Sequence, residues 1–343
     1  MLINSLFLAR NGRLIALLWL LVAPGLQADA AAAGKALPFT PDADKQIRVM
    51  ISSDAKNEAD DDFAIAHALL TPTFDVRGLI AAQYARTAPM MKRQDEQTME
   101  ESYQELKRLT AVMDHSRTPV YRGAALNSLP ARPAAISEGA RAIVSEGMRD
   151  DKRPLFILVL GPATDIAAAL RAEPEIADRL TVIWIGGMPY PRGGWEYNLY
   201  NDPHAANVLM SSSVPVWQVP HNVYMSMRVS LAELAVRVKP QGAVGSYLWR
   251  QMIEFNQRAS KLIAGVPWPK SEVWILGDNP AISLLLDDEE YHYQMVNAPH
   301  INDDLTYGPQ AHARQIRVYN AIDARFTLED FYAKLALAFG KEN

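Results

Sequence analysis

The chain predicts an α/β protein: a mainly parallel open sheet with helices on both faces. Three observations point there. Short apolar runs alternate with amphipathic stretches along most of the 343 residues, the pattern of repeated strand–helix units. Hydrophobic residues make up 49% of the chain, enough for a substantial core. The first apolar run ends in an acidic loop that leads into a helical pattern, and open α/β sheets bind ligands at the carboxyl ends of their strands.

In chain order, strands are predicted at 47–53, 76–83, 155–160, 180–186 and 215–219. Helices follow most of them, at 61–70, 164–172 and 203–210. Further amphipathic helices are expected at 98–113 and 137–148, a long one at 242–264 and a C-terminal one at 328–338, with a late strand at 316–321. The stretches 86–94 and 189–195 lack a regular pattern and read as loops beside the sheet's carboxyl edge. No internal repeat is evident, so residues 45–340 are expected to form one domain.

The N-terminus reads as a secretory signal over residues 1–30. Arg10 and Arg13 supply the positive region, 14–23 a short apolar region, and Pro24 and Gly25 break it ahead of Ala28-Asp-Ala30. That predicts a periplasmic or secreted protein with a disordered mature N-terminus over 31–44. The apolar region is short for a membrane span, and no later stretch is long and apolar enough for one. The chain has no cysteine, which excludes disulfides, thiolate metal sites and cysteine nucleophiles. A formal net charge of −5 offers nothing to attract a nucleic-acid polymer.

The most informative stretch is Arg48-Val-Met-Ile-Ser-Ser-Asp54, followed by Glu58-Ala-Asp60-Asp61-Asp62. Acidic residues favour helix N-termini, and capping accounts for Asp62 and Glu58. It does not account for Asp54, which ends a strand. Asp54, Asp60 and Asp61 enter one crevice, where they repel one another unless a cation or a donor-rich ligand lies between them. Oxygen donors of this kind suit Ca²⁺ or Mg²⁺.

Other segments add candidates. The run 155–160 meets Gly161-Pro162, so the Leu160 carbonyl is either an ordinary turn oxygen or a cation ligand, and Thr164 is placed to cap the following helix. In Trp195-Glu-Tyr-Asn198, Glu196 and Asn198 face the same way in an extended chain, suited to sugar hydroxyls; the plainer reading of Glu196 is a solvated loop carboxylate. Asp202 before Pro203 reads as a helix N-cap. Asp278 before Pro280 is either a similar cap or a further oxygen donor beside Asp54 and Asp61.

Together these segments resemble the inosine–uridine-preferring nucleoside hydrolase family, as a divergent subgroup. The family opens with strand-Asp-x-Asp-x-Gly-x-Asp-Asp-Ala; here the Asp pair stands two residues further from Asp54, and the first Asp falls at Ser52. Leu160-Gly-Pro-Ala-Thr-Asp165, Ile185-Gly-Gly187, Glu196-Tyr-Asn198 and Asp202-Pro-His-Ala-Ala206 resemble later family motifs, and Asp278 the late acidic ligand. The likeness runs, with gaps, from about Arg48 to Leu335. It implies a nucleoside-hydrolase-like fold and calcium-dependent hydrolysis of the N-glycosidic bond, releasing base and ribose. It implies Asp54 as general base and calcium ligand, Asp61, Asp278 and the Leu160 carbonyl as calcium ligands, and Asp60, Glu196 and Asn198 as ribose contacts. The implied partner is a small-molecule nucleoside, with no membrane association after signal cleavage and room for a homo-oligomer.

Two departures stand out. Gly277 replaces the family histidine that protonates the leaving base, which leaves His221 or the 190–195 loop as substitutes. The asparagine expected after the second strand is not evident, and Gln83 is the nearest polar group. The first departure motivates an alternative, a nucleoside-binding protein that keeps the metal cage without turnover. A phosphatase with an Asp nucleophile fits less well, because Lys56 stands where that chemistry places its second Asp.

Overall fold

Seven residues, Ile47–Ser53, form the central strand β1. Val49 and Ile51 enter one apolar core and Met50 the other, as expected of a strand covered on both faces. Arg48 is buried at its start, where the guanidinium reaches Glu146 Oε1 at 3.0 Å and the carbonyls of Glu146, Asp151 and Arg153. Pairing of this kind is what makes a buried charge tolerable. Asp54 follows the other end.

The computed structural model describes residues 34–125, 136–262, 272–287, 292–312 and 314–341. The expected signal at 1–30 and the last two residues of the helix expected at 242–264 lie outside them. After β1 come α1 (Asp60–Leu69), β2 (Phe74–Ala81), α2 (Thr98–Val112), β3 (Val120–Arg122), α3 (Glu138–Gly147), β4 (Leu155–Val159) and α4 (Thr164–Ala172). Then come β5 (Thr181–Ile185), α5 (Tyr197–Asn201), α6 (Pro203–Ser211), β6 (Val216–Val219), α7 (His221–Tyr224), β7 (Arg228–Ser230), α8 (Leu231–Arg237) and α9 (Gly242–Leu262). The chain continues through β8 (Val273–Ile275), α10 (Pro280–Ser283), β9 (Tyr293–Asn297), β10 (His300–Ile301), β11 (Tyr307–Gly308), β12 (Gln315–Tyr319) and α11 (Ala324–Phe339).

Eight strands form the main sheet in the order β3-β2-β1-β4-β5-β6-β12-β9, parallel throughout except at the β12–β9 edge. Phe63, Leu106, Leu248 and Phe331 pack helices on one face; Ile143, Ile166 and Leu209 pack those on the other. The chain winds outward from β1 in both directions, so β1 and β4 flank the point where strand order reverses. A crevice opens there beyond the strand ends, the general ligand position in such sheets.

The predicted elements fall within a few residues of those observed. Four differences are informative. The second strand ends at Ala81, leaving Gln83 in the loop, where Nε2 donates to Thr164 Oγ1 at 3.3 Å and Oε1 accepts from the Ala85 N–H. Thr164 does not cap α4: the N-cap is Ala163, and the Thr164 hydroxyl donates to Asp202 Oδ2 at 2.8 Å. The stretch 86–94 contains a short 3₁₀ turn, Ala88–Met91. Strands β3 and β9 were not expected.

Candidate active site

Asp54 leaves β1 at the switch point and turns its carboxylate toward β4. Asn57 Nδ2 donates to Asp54 Oδ2 at 2.9 Å, and the Asn57 N–H closes a turn on the Asp54 carbonyl at 2.7 Å. The other carboxylate oxygen lies so close to Gly161 that a Cβ there would stand 2.5 Å from it. The Gly161-Pro162 turn at the end of β4 thus has a steric reason for its glycine.

Asp60 and Asp61 open α1. The α1 N-cap is Ala59, with no side-chain capping bond, so none of the acidic residues here serves as cap. Asp61 Oδ1 accepts from Ser53 Oγ at 2.5 Å, and Asp60 Oδ2 accepts from the Gly277 N–H at 3.0 Å. Asp278 follows Gly277. It does not cap α10, whose N-cap is Asn279, and its carboxylate instead joins the other two. Asp60, Asp61 and Asp278 each offer an oxygen within 4.8 Å of the others.

These groups line a cavity together with Asp54, Asn57, Glu58, Leu160, Glu196, Tyr197, Asn198, His221 and Tyr224. Among the described residues lining it, none is Lys or Arg. Burial is the main force raising the acidic groups here. It pushes the Asp54 carboxyl up to about 7 and that of Asp60 to about 6, and at Asp54 the neighbouring charges of Asp60 and Glu196 add to it. Burial, with repulsion from the neighbouring carboxylates, also raises Asp61, Asp278 and Glu58 well above the ordinary carboxylate range. A buried set of hard oxygen donors without an internal counter-charge suits a divalent cation such as calcium. The donor chemistry therefore fits the metal that the resemblance implies, with Asp61 and Asp278 at its centre.

The other expected residues lie around the same cavity. Asn198 Nδ2 donates to the carbonyls of Leu160 and Ile185, each at 2.9 Å, and so ties the ends of β4 and β5 together. The Leu160 carbonyl thus already accepts one bond; a carbonyl has two lone pairs. Glu196 is no solvated loop carboxylate. It is buried, caps α5 through the N–H groups of Asn198 and Leu199, and accepts from the Gly187 N–H at 2.8 Å and the Tyr224 hydroxyl at 3.0 Å. Asp202 caps α6 as expected, by accepting from the Ala205 N–H at 2.9 Å.

His221 lines the cavity, edge-on to the Tyr224 ring with centroids 5.2 Å apart. Burial holds its imidazole below the ordinary range against the pull of Glu196. Gln83 is not among the lining residues. Glu58, Tyr197 and Tyr224 are lining residues that the sequence reading did not select. Glu58 carried a signal, since it lies in the acidic run, but capping offered a sufficient account of it. Tyr224 carried none: it stands 28 residues from Glu196.

Comparison with known proteins agrees with this geometry. Residues 49–329 match the family model described as inosine-uridine preferring nucleoside hydrolase. The pyrimidine-specific ribonucleoside hydrolase RihA of Escherichia coli O127:H6 (strain E2348/69 / EPEC) is 26% identical over 183 residues, 46% of this chain and 55% of the relative. The RihA of Salmonella enteritidis PT4 (strain P125109) is 25% identical over 215 residues, 57% of this chain and 67% of the relative. The matched region thus spans from about half to two thirds of the length of these relatives. Among solved structures, the purine-preferring ribonucleoside hydrolase from Gardnerella vaginalis shares the fold at a TM-score of 0.69 and 18% identity, over 84% of this chain and 98% of that one. With the family model spanning the sheet, the acidic crevice and Asp278, the chain belongs to the inosine-uridine preferring nucleoside hydrolase family.

Proposed function

We propose that this chain is a calcium-dependent hydrolase that cleaves the N-glycosidic bond of nucleosides to release base and ribose. The observation that carries the reading is the triple of Asp60, Asp61 and Asp278 in a cavity whose described lining holds no Lys or Arg. Family membership supports the reaction class. Asp61 and Asp278 of that triple would hold the ion, joined by Asp54 and the Leu160 carbonyl from the same cavity lining. When bound, calcium lowers the pKa of an adjacent water and orients ribose hydroxyls.

The chain's own residues supply the remaining chemistry. Asp54 is the base: Asn57 and the Gly161 turn hold its carboxylate in place to take a proton from water. Asp60, anchored through one oxygen to the Gly277 amide, presents the other to a ribose hydroxyl. Asn198 holds the Leu160 carbonyl in the cavity wall. Glu196 binds ribose by exchanging the Tyr224 hydroxyl for a sugar hydroxyl, an exchange that keeps its oxygen satisfied. These contacts accelerate the reaction to the extent that they tighten as the ribose gains oxocarbenium character.

The test is release of free base from inosine, uridine, adenosine and cytidine, with and without a calcium chelator. Release that stops with chelator and returns with calcium supports the proposal. Tight nucleoside binding without release favours instead a binding protein that keeps the cage. Export belongs to the same proposal and rests on the sequence of residues 1–30. A mature protein that begins near Ala31 in the periplasmic fraction is expected, and an intact Met1–Asn343 chain in the cytoplasm would overturn it.

A further inference from the structure

His67 stands about two helical turns along α1 from Asp60, so the two side chains leave the helix on the same side. Both meet the segment that carries Asp278. Asp60 takes the Gly277 N–H, and the fully buried His67 ring meets Asn279, whose Nδ2 lies 3.3 Å from Nδ1. The other ring nitrogen, Nε2, lies 2.7 Å from Asp330 Oδ2 in α11. Lys334 Nζ donates to the same Asp330 oxygen at 2.5 Å and to Thr71 Oγ1 at 3.1 Å, and the Thr71 hydroxyl donates to the His67 carbonyl at 2.8 Å.

These partners fix the tautomer. Asp330, paired with Lys334, is a carboxylate that only accepts, so Nε2 carries the proton and Nδ1 presents its lone pair to the Asn279 amide. Burial favours the same neutral ring, holding its imidazole below the ordinary range against the pull of Asp330. Asn279 is fully buried, and among the described residues its Oδ1 has no partner, so the bond to His67 is what orients its amide.

We propose that His67 is a positioning residue for the cation site: through Nδ1 and Asn279 it holds Asp278 where it can share one ion with Asp60 and Asp61. The inference rests on the calcium reading above. Asp60 and Asp61 belong to α1, whereas Asp278 belongs to the segment before α10, and like charge pushes these two pieces of chain apart. The Gly277 N–H to Asp60 bond opposes that repulsion at the cavity, and the His67–Asn279 bond opposes it behind the cavity. Asp330 holds the ring from the third helix, so the bond to Asn279 has a fixed origin. Groups that orient metal ligands from behind typically cost about 10–100-fold in metal affinity when removed.

Two substitutions divide the ring's two contacts. The side-chain oxygen of His67→Asn stands where Nδ1 does, so it accepts from Asn279 but does not reach Asp330. The amide of His67→Gln reaches to where Nε2 does, so it donates to Asp330 but leaves Asn279 without its acceptor. Calcium affinity is measured on the full chain by titration calorimetry, and exchange of the Gly277 amide is measured by hydrogen–deuterium exchange without metal. His67→Gln should weaken calcium binding by about tenfold and speed Gly277 exchange by about tenfold. His67→Asn should leave both within about threefold of the parent, yet lower the melting temperature more than His67→Gln does, because it loses the Asp330 contact. A histidine that only fills the core would lower stability in both variants without parting their calcium affinities. The proposal is overturned if the two variants bind calcium alike. It is equally overturned if Asn279→Leu, which removes the partner amide, leaves calcium affinity and Gly277 exchange at parent values. A parent that binds no calcium defeats the cation reading, and Gly277 exchange still decides whether His67 holds the segment.

Discussion

Asp61 and Asp62 are neighbours in α1, yet they enter opposite electrostatic settings. One residue of helix turns the side chain by about 100°. Asp61 faces the cavity, among Asp54, Asp60 and Asp278, with no Lys or Arg among the described lining residues. Asp62 faces the other way, toward Glu105, and that cluster is compensated from within. Lys56 Nζ lies 2.7 Å from Glu105 Oε2, Arg108 Nη2 donates to the same oxygen at 2.7 Å, and the Tyr247 hydroxyl donates to Oε1. Burial pushes the Glu105 carboxyl up, but Lys56 and these hydrogen bonds outweigh it and hold it below the ordinary range. Asp62 is raised well above the ordinary carboxylate range by burial and by the charge of Glu105. The lesson is that buried acidity alone does not mark a site. A structural cluster contains its own cations; a cluster built for a ligand leaves that charge to be supplied.

The largest expected effect comes from breaking the cavity's chemistry. Asp54→Asn keeps an oxygen and the Asn57 contact but cannot take a proton from water. It should lower kcat by about 10²–10⁴-fold and leave nucleoside binding measurable. Turnover at the parent rate would remove Asp54 as the base while leaving the metal site untouched.

Breaking the compensated cluster should cost stability rather than chemistry. Lys56→Met leaves Glu105, which is fully buried, short of one of the two cations paired with it. Removing one partner of a buried pair costs about 3–5 kcal/mol, and the remaining Arg108 contact places this case near about 3 kcal/mol. A lower urea midpoint with an unchanged slope is the expected record. If stability holds and the calcium response falls instead, the two clusters are not separate.

This division was only partly visible in the sequence. The central strand was legible because Val49, Met50 and Ile51 form a continuous apolar run. The edge strand β9 was not, since Tyr293–Asn297 is largely exposed and carries no buried face. β3 has only three residues, too few to show a period. Within the site, Asp54 and Asp278 stood out because each ends an apolar run beside a turn. Glu58 was hidden by a capping explanation that the structure does not support, since Ala59 holds that position. Tyr224 reaches the cavity only through tertiary packing, and no local pattern marks a contact of that kind.

Withdrawing the cation should also separate the clusters by pH. The cavity carboxylates have folded pKa values above the unfolded value of about 3.9 for Asp. The folded chain therefore holds more protons, and stability must fall as pH rises through that window. With Asp60 at about 6 and Asp54 at about 7, the metal-free chain should lose stability from about pH 4 to 7. Calcium at about 100 times its Kd should restore about 2.7 kcal/mol at pH 7. A metal-free chain whose melting temperature is flat from pH 4 to 7 would mean that burial does not hold the cavity carboxyls above their ordinary range.

The smallest effect has the most diagnostic sign. Asp61→Asn removes one negative charge from the cavity while its side-chain oxygen can still accept from Ser53 Oγ. In a compensated cluster such a change destabilises, because it strands a cation. In the cavity it removes repulsion, so the metal-free chain at pH 7 should gain stability rather than lose it. The same substitution removes a charged oxygen that the cation needs, so the calcium-induced rise in melting temperature should disappear. Stability without metal and response to metal thus move in opposite directions, a combination that simple misfolding cannot produce. Thermal melts of parent and Asp61→Asn, each with chelator and with calcium, decide it. If Asp61→Asn lowers stability in chelator as well, Asp61 is a structural carboxylate of the Asp62 kind, and the assignment of the cavity as a cation site loses its central ligand.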